Sequence, residues 1–320
     1  MKSNKNLLAY LALSVVCLVW GTTYLVLRIG VTQFPAFLFS AIRFLIAGPI
    51  LVGITLIIGK AGLPDKKTMI NQAVGGLFMI TLGVSVVGWG EKFVSSGLAA
   101  IICSVMPIWM ILINLVVSKD ERPNWLIVLG LLTGLSGIIM IFGEHLAEFS
   151  DGAYRIGIVI TFLANFCWAI GTVWTKKNGS QGNPFMNAGL QMIFGGIFLI
   201  PLSLAFDDYA TVQWANELIF CLVYMILIGS VAAYSCYFYA IKKLPMTIVS
   251  MYAYINPIVA FILGWLILGE KLNTHISIAI LITVAGIYLV NRGFQMKSIT
   301  LQPFVGVRSF IKNLKIIAIG

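Results

Sequence analysis

The chain has 320 residues, 60% of them apolar and 10% charged, with a mean hydropathy of +0.99 and a formal net charge of +10. Soluble domains carry roughly a quarter charged residues, so this composition excludes a water-soluble globular chain, along with disordered, fibrous and disulfide-scaffold classes. At about 20 residues per membrane-crossing helix, the length accommodates roughly ten spans and no soluble catalytic or nucleotide-binding domain.

Long apolar runs bounded by charges predict ten spans. Span 1 runs from Leu7 to Ile29 and carries Trp20, Thr23 and Tyr24; Arg28 follows where a signal peptide would have small residues, so the run stays in the protein as a span. Span 2, Pro35 to Ile58, holds Arg43 about eight residues, or roughly 12 Å of rise, from its start. Span 3, Gln72 to Gly90, closes in Gly88-Trp89-Gly90-Glu91-Lys92, and span 4, Ser96 to Ser118, contains Pro107. Span 5, Trp125 to Phe142, bears a small-residue face of Gly130, Gly134 and Gly137. Span 6, Gly157 to Thr175, interleaves Asn165, Trp168 and Thr172. Span 7 runs from Pro184 to Phe206 with Gln191 inside it, and span 8, from Leu218 to Ile241, carries Tyr234, Tyr237 and Tyr239. Span 9, Thr247 to Leu268, holds Tyr252, Tyr254 and Asn256-Pro257; span 10, Ile276 to Asn291, presents Ala279, Thr283 and Gly286. The two small-residue faces fit packing within a monomer or the seam of a homodimer. Beyond lies a basic tail, 292–320, in which Arg308, Lys312 and Lys315 share one helical face and Phe310, Leu314 and Ile317 another. That pattern suits an amphipathic helix on the anionic inner leaflet, with an unstructured tail as the other reading.

The span map interprets the charge. With the amino terminus placed in the cytoplasm, sixteen Lys and Arg fall on the cytoplasmic side, and Arg28, Lys92, Arg155 and Lys271 on the other. The basic balance is therefore an orientation signal with both termini inside, not a nucleic-acid surface. Cys17, Cys103, Cys167, Cys221 and Cys236 all lie in apolar runs without CxxC spacing, and His145 and His275 have no partner at ligand spacing. No metal or cofactor site is implied.

The halves of the chain echo each other. Trp20 precedes Arg28 by eight residues, and Trp168 precedes Lys176 by eight. Phe37, Arg43 and Gly48 match Phe185, Gln191 and Gly196 at an offset of 148; Pro107 matches Pro257 at 150; Glu121, Asn124 and Gly137 match Glu270, Asn273 and Gly286 at 149. Five spans per half is an odd number, so the second half enters the membrane from the opposite side. Such inverted repeats are the mark of transporters that alternate access around a central site.

Trp20-Gly21-Thr22-Thr23, Arg43, Gly97-Leu98-Ala99-Ala100 leading to Pro107-Ile108-Trp109, Glu121 and Gly137, with a second copy in Asn256-Pro257, Gly269-Glu270-Lys271 and Gly286, resemble the EamA family of the drug/metabolite transporter superfamily. The resemblance covers Leu7 to about Asn291. It implies an all-α integral membrane protein of ten helices in two inverted five-helix repeats, 7–142 and 154–291, moving small solutes, usually outward. It also implies that spans 1, 3, 4, 6, 8 and 9 wall a cavity.

Intramembrane ionisable residues are functional candidates because charge is costly in hydrocarbon. Arg43 would attract an anionic substrate group or form a gate ion pair, or else brace neighbouring helices. Glu91 is the carboxylate nearest an apolar core. Held out of water it favours its protonated form, which suits coupling to a proton gradient; beside Lys92 at the headgroups it would be an anchor, and a brace to Arg43 is a further geometry. Pro107 and Pro257 predict helix breaks. Trp20, Thr23, Trp89, Trp168, Tyr234, Tyr237 and Asn256 are the candidate substrate-binding residues.

The expectation is a secondary transporter, exporting small metabolites such as amino acids or their analogues, in a bacterial inner membrane. Its partners would be the solute, the bilayer and, as candidate coupling ion, protons; no nucleic acid is expected. HExxH and Walker A sequences are lacking, as is a Ser-His-acid set at membrane depth, which weighs against a membrane-embedded enzyme. A passive channel would have no need of paired broken helices.

Overall fold

Every regular element among the described residues is a helix. The computed structural model describes residues 3–117 apart from 60, 61 and 63, then 124–142, 151–212 apart from 180 and 181, 214–268, and 274–293 apart from 276, 280 and 291, with 296; no strand occurs among them. Among the described residues, seven helical stretches are long and apolar enough to cross a membrane: Leu7–Gln33, Ala36–Ile57, Lys66–Gly90, Ser96–Ile113, Gly152–Asn178, Pro184–Phe206 and Asn216–Lys243. Two shorter apolar helices cover Trp125–Gly137 and Ser277–Val290. The tail helix expected from Arg308 onward lies outside the described residues, as do Glu121, Glu270, Lys271 and Asn273.

The elements are α1 (Ser3–Gln33), α2 (Ala36–Ile57), α3 (Lys66–Gly76), α4 (Ser85–Gly90), α5 (Ser96–Cys103), α6 (Met106–Val117), α7 (Trp125–Phe142), α8 (Gly152–Trp174), α9 (Pro184–Phe206), α10 (Asn216–Tyr224), α11 (Ala233–Lys243), α12 (Met246–Val249) and α13 (Tyr252–Leu268). Several outrun the apolar stretch that announced them, because a helix continues into polar sequence until a cap satisfies its end. Asp65 accepts from the Thr68 amide ahead of α3, and Asp151 from Ala153 ahead of α8. Asn183 does the same for Phe185 and Met186, with Pro184 supplying the pre-set first turn of α9.

Several of the described spans are not uniform α-helix. A π-helical segment, Leu77–Val84, joins α3 to α4, and another, Met225–Ala232, joins α10 to α11, beginning 148 residues later. Span 4 is interrupted at Ser104 and Val105, span 9 at Ser250 and Met251. The interruptions fall ahead of Pro107 and Pro257 rather than at them. Each proline leaves the carbonyl four residues back, Cys103 or Ala253, without its usual donor. The chain answers upstream with tighter turns, Val105 N bonding Ile102 O at 3.3 Å and Ala253 N bonding Ser250 O at 3.1 Å.

Close helix pairs rest on glycine. α2 packs on α9, and a Cβ at Gly48 would stand 2.9 Å from the Gly189 carbonyl. A Cβ on Gly286 would stand 2.4 Å from Gly134 N, so the small-residue faces of spans 5 and 10 meet within the chain. Polarity is inside out relative to a soluble protein. Leu11, Ile54, Ile57, Leu204 and Phe220 face outward, while Arg43, Gln72, Asn165, Gln191 and Asn256 are buried. An apolar jacket around satisfied helices is what hydrocarbon demands.

Candidate functional site

Trp20, Thr23, Tyr24 and Leu27 stand at i, i+3, i+4 and i+7 on α1, so one face of that helix presents all four. They form one wall of a central cavity whose empty volume, open mouth included, is about 620 Å³. Facing them are Arg43 from α2, Val84 and Val87 from span 3, and Cys103 and Met106 from either side of the span 4 interruption. Asn165 and Trp168 come from α8, Met225 and Tyr234 from span 8, and Tyr252 and Asn256 from α13.

Trp20 is the hub of the aromatic wall. Its ring centroid lies 5.4 Å from Trp168, 5.4 Å from Tyr234, 4.8 Å from Tyr237 and 5.0 Å from Tyr252, mostly edge to face. Its indole Nε1 donates to Gly229 O at 3.3 Å in the second π segment. Arg43 Nη2 donates to that same carbonyl at 3.2 Å, and Arg43 Nε donates to Ser230 Oγ at 2.7 Å. The guanidinium carbon stands 4.5 Å from the Phe44 ring centroid. Fork, hydroxyl and ring together fix one orientation for the cation.

The interrupted helix is closed by side chains. Ser104 Oγ donates to Ile101 O, and Asn165 Nδ2 donates to Ile102 O at 3.1 Å. With its amide oriented to satisfy both ends, Asn256 donates to Cys17 O at 3.1 Å and Tyr252 O at 3.0 Å.

Of the residues expected from the sequence, Trp20, Thr23, Arg43, Trp168, Tyr234 and Asn256 line this cavity. Tyr237 stands one layer behind, against Trp20 and Trp168, with its hydroxyl 3.1 Å from Thr172 Oγ1. Trp89 sits elsewhere, in a cluster with Phe37, Phe93 and Phe206 at 5.6 to 5.9 Å. Pro107 and Pro257 are next to cavity-lining Met106 and Asn256. Glu91 ends α4 fully buried, neither carboxylate oxygen having a hydrogen-bond partner, while its neighbour Lys92 is exposed. The field of Arg28 reaches Glu91, and Glu91 in turn reaches Tyr24 and Cys103 in the cavity wall. Glu91 and Arg43 do not pair in this conformation: Arg43 bonds Ser230 and Gly229, and neither Glu91 oxygen has a partner.

Sequence reasoning did not nominate Tyr24, Leu27, Cys103, Met106, Met225 or Tyr252 for the site, nor Ser230 as the partner of Arg43. Helical spacing from residues already nominated was the available signal: Tyr24 and Leu27 follow Trp20, Cys103 and Met106 are three apart, and Tyr252 precedes Asn256 by one turn. No group of three potential metal ligands occurs among the described residues.

A family model described as "EamA-like transporter family" matches residues 7–143 and again residues 155–292. The chain is 29% identical over 296 residues to a protein of Escherichia coli (strain K12) named "Uncharacterized inner membrane transporter YedA", covering 92% of this chain and 94% of that one. It is 24% identical over 285 residues to "Uncharacterized transporter YoaV" of Bacillus subtilis (strain 168), covering 89% and 97%. A solved structure described as "Crystal structure of protein" superposes with a TM-score of 0.71 at 18% identity, over 91% of this chain and 98% of that chain, which speaks to the fold. The chain belongs to the EamA family of the drug/metabolite transporter superfamily and is a multi-span membrane transporter.

Proposed function

We propose that the protein is a secondary active exporter of small organic solutes in a bacterial inner membrane, working by alternating access between two inverted five-helix repeats, 7–142 and 154–291, with both termini in the cytoplasm. The observation that carries this reading is the cavity built jointly by the two halves, in whose wall the equivalent residues Trp20 and Trp168 meet edge to face at 5.4 Å. The double family match, the paired interruptions and the π segments 148 residues apart support the duplication.

Equivalent cations lie eight residues beyond each of those tryptophans. Arg28 donates through Nη1 to Val94 O, in the connection between spans 3 and 4. Lys176 Nζ donates to Ile241 O in the last turn of α11 and to Leu244 O just beyond it, at the connection between spans 8 and 9. Each cation thus ties its helix to the matching connection in its own half, where helix carbonyls attract positive charge. Lys177 donates to Val117 O and Lys242 to Gly182 O, and the gathering of these lysines supports a cytoplasmic place for this end.

Glu91, buried and without a partner, is the group we assign to proton coupling. Purified protein in proteoliposomes should accumulate labelled solute against its gradient by counterflow, a behaviour that a channel lacks. A broad metabolite panel giving neither counterflow nor net flux would sink the exporter. Glu91→Gln should abolish the dependence of flux on a pH gradient while leaving exchange intact; unchanged pH-gradient dependence would remove the coupling role.

A further inference from the structure

We infer that the cavity selects a small organic monoanion with a ring-bearing apolar body, and that Arg43 and Tyr234 are the residues that recognise its carboxylate. The inference rests on the transporter reading and specifies its substrate class.

Three observations carry it. Arg43 is the single cation among the described residues lining the cavity, and that lining contains no carboxylate. A guanidinium cannot shed its charge, and a buried charge without a counter-ion is a poor resting state. Two of its nitrogens are held, Nε by Ser230 and Nη2 by Gly229, whereas Nη1 makes no hydrogen bond among the described residues. The side chain is therefore fixed by one part of its fork and open at another. Beside it, the Tyr234 hydroxyl is buried, has no hydrogen-bond partner, and lies within the field of the Arg43 charge. Two idle donors and an unneutralised cation in one wall of a cavity whose lining holds no other charge describe a seat for a carboxylate, to which arginine and a hydroxyl offer charge-assisted bonds.

The remainder of the cavity fits the rest of such a molecule. Trp20, Trp168 and Tyr252 supply ring faces and edges for an apolar body. A zwitterion would bring an ammonium into a cavity with no anion to receive it, and a cation would face Arg43 directly. The expected order is anion, then zwitterion, then cation.

Phenylacetate, L-phenylalanine and phenethylamine share one ring and differ in charge, so calorimetric titration of the full-length protein in detergent with all three tests the order. Phenylacetate should bind about ten-fold or more tightly than either of the others, and Arg43→Gln should remove at least about ten-fold of that affinity. Tyr234→Phe, which deletes only the hydroxyl, should weaken phenylacetate by about three- to ten-fold and leave phenethylamine unchanged. Equal or reversed order among the three, or absence of phenylacetate binding, overturns the inference. Should Arg43→Gln fail to fold, Arg43→Lys and Tyr234→Phe decide: undiminished phenylacetate affinity in both overturns it as well. The flux assay separates this from the broader reading. Counterflow of some other solute without anion preference removes the charge class and keeps the transporter. Phenylacetate binding with no flux of any solute keeps the charge selection and removes the exporter.

Discussion

Arg43 and Gln191 occupy matching places in the two halves, 148 residues apart, and both are fully buried. Their surroundings differ. Arg43 borders the cavity and leaves part of its fork idle, with Ser230 and Gly229 of the opposite half as partners. Gln191 is sealed among helices, its Nε2 donating to Gln72 Oε1 and to Thr175 Oγ1, both at 2.9 Å, while its Oε1 has no partner among the described residues. The place calls for a polar side chain that bridges helices, and an amide suffices for it. A charge at one of the two places therefore does something the scaffold does not require.

The largest effect should come from forcing the two places to be alike in the wrong direction. Gln191→Arg would set a cation among Gln72, Thr175 and glycine backbone with no carboxylate to meet it. An uncompensated buried charge costs about 3 to 5 kcal/mol, so this variant should unfold at a much lower temperature in detergent, or fail to assemble. A melting temperature equal to that of the parent would show that the second place has an anion or water within reach and would erase the contrast. Arg43→Gln, by comparison, removes a charge as well as its desolvation cost, so its stability should change far less than that of Gln191→Arg.

A middle-sized effect distinguishes the partners. Thr175→Val deletes one acceptor of Gln191, and leaving a buried donor unmatched costs about 1 to 3 kcal/mol. The loss should appear as stability, with solute affinity unaltered, because the Gln191 network does not border the cavity. Ser230→Ala removes the acceptor that orients Arg43 Nε, and its loss should appear mainly as weakened binding of phenylacetate. If Thr175→Val weakened binding and Ser230→Ala did not, the division between a structural place and a ligand-facing one would be reversed.

Much of this arrangement was legible in the residues. Apolar runs announce spans because hydrocarbon tolerates little else, and Arg43 and Gln191 stood out as polar interruptions at one offset. Helix ends were less legible at α3 and α8, which Asp65 and Asp151 start ahead of the apolar run, whereas α9 has the bounds expected of span 7. Proline pointed to the right spans, but the interruptions lie upstream at Ser104 and Ser250, where tightened turns absorb the missing bonds. The π segments have no signature in residue type; they follow from how spans 3 and 8 must turn to pack. Trp89 shows the same limit. Its place beside Gly88 and Glu91 suggests a site residue, yet the rotation of α4 directs it to Phe37 and Phe206. Which face a helix turns to the cavity is decided by its neighbours, and Met106 and Met225 look in the sequence like any other apolar residues.

The smallest expected effect again contrasts the halves. α3 opens on Asp65, whose carboxylate accepts from the Thr68 amide at 3.2 Å, whereas its counterpart α10 opens on Ala215 with no side-chain cap. The hydrogen bonds from Thr68 hold the Asp65 carboxyl below its ordinary value of 3.8. A group with a lowered folded-state value stabilises fully above the ordinary value, and that contribution fades as pH falls through the folded value. The first turn of α3 should therefore keep its amide protection at pH 5 and lose part of it below pH of about 3.8, after correction for intrinsic exchange rates. The first turn of α10 owes nothing to an Asp65-type cap and should not follow that curve. Asp65→Asn retains a capping oxygen without the titration, so it should flatten the pH dependence of α3 while preserving its protection near neutrality; a pH dependence surviving in Asp65→Asn would place the titrating group elsewhere.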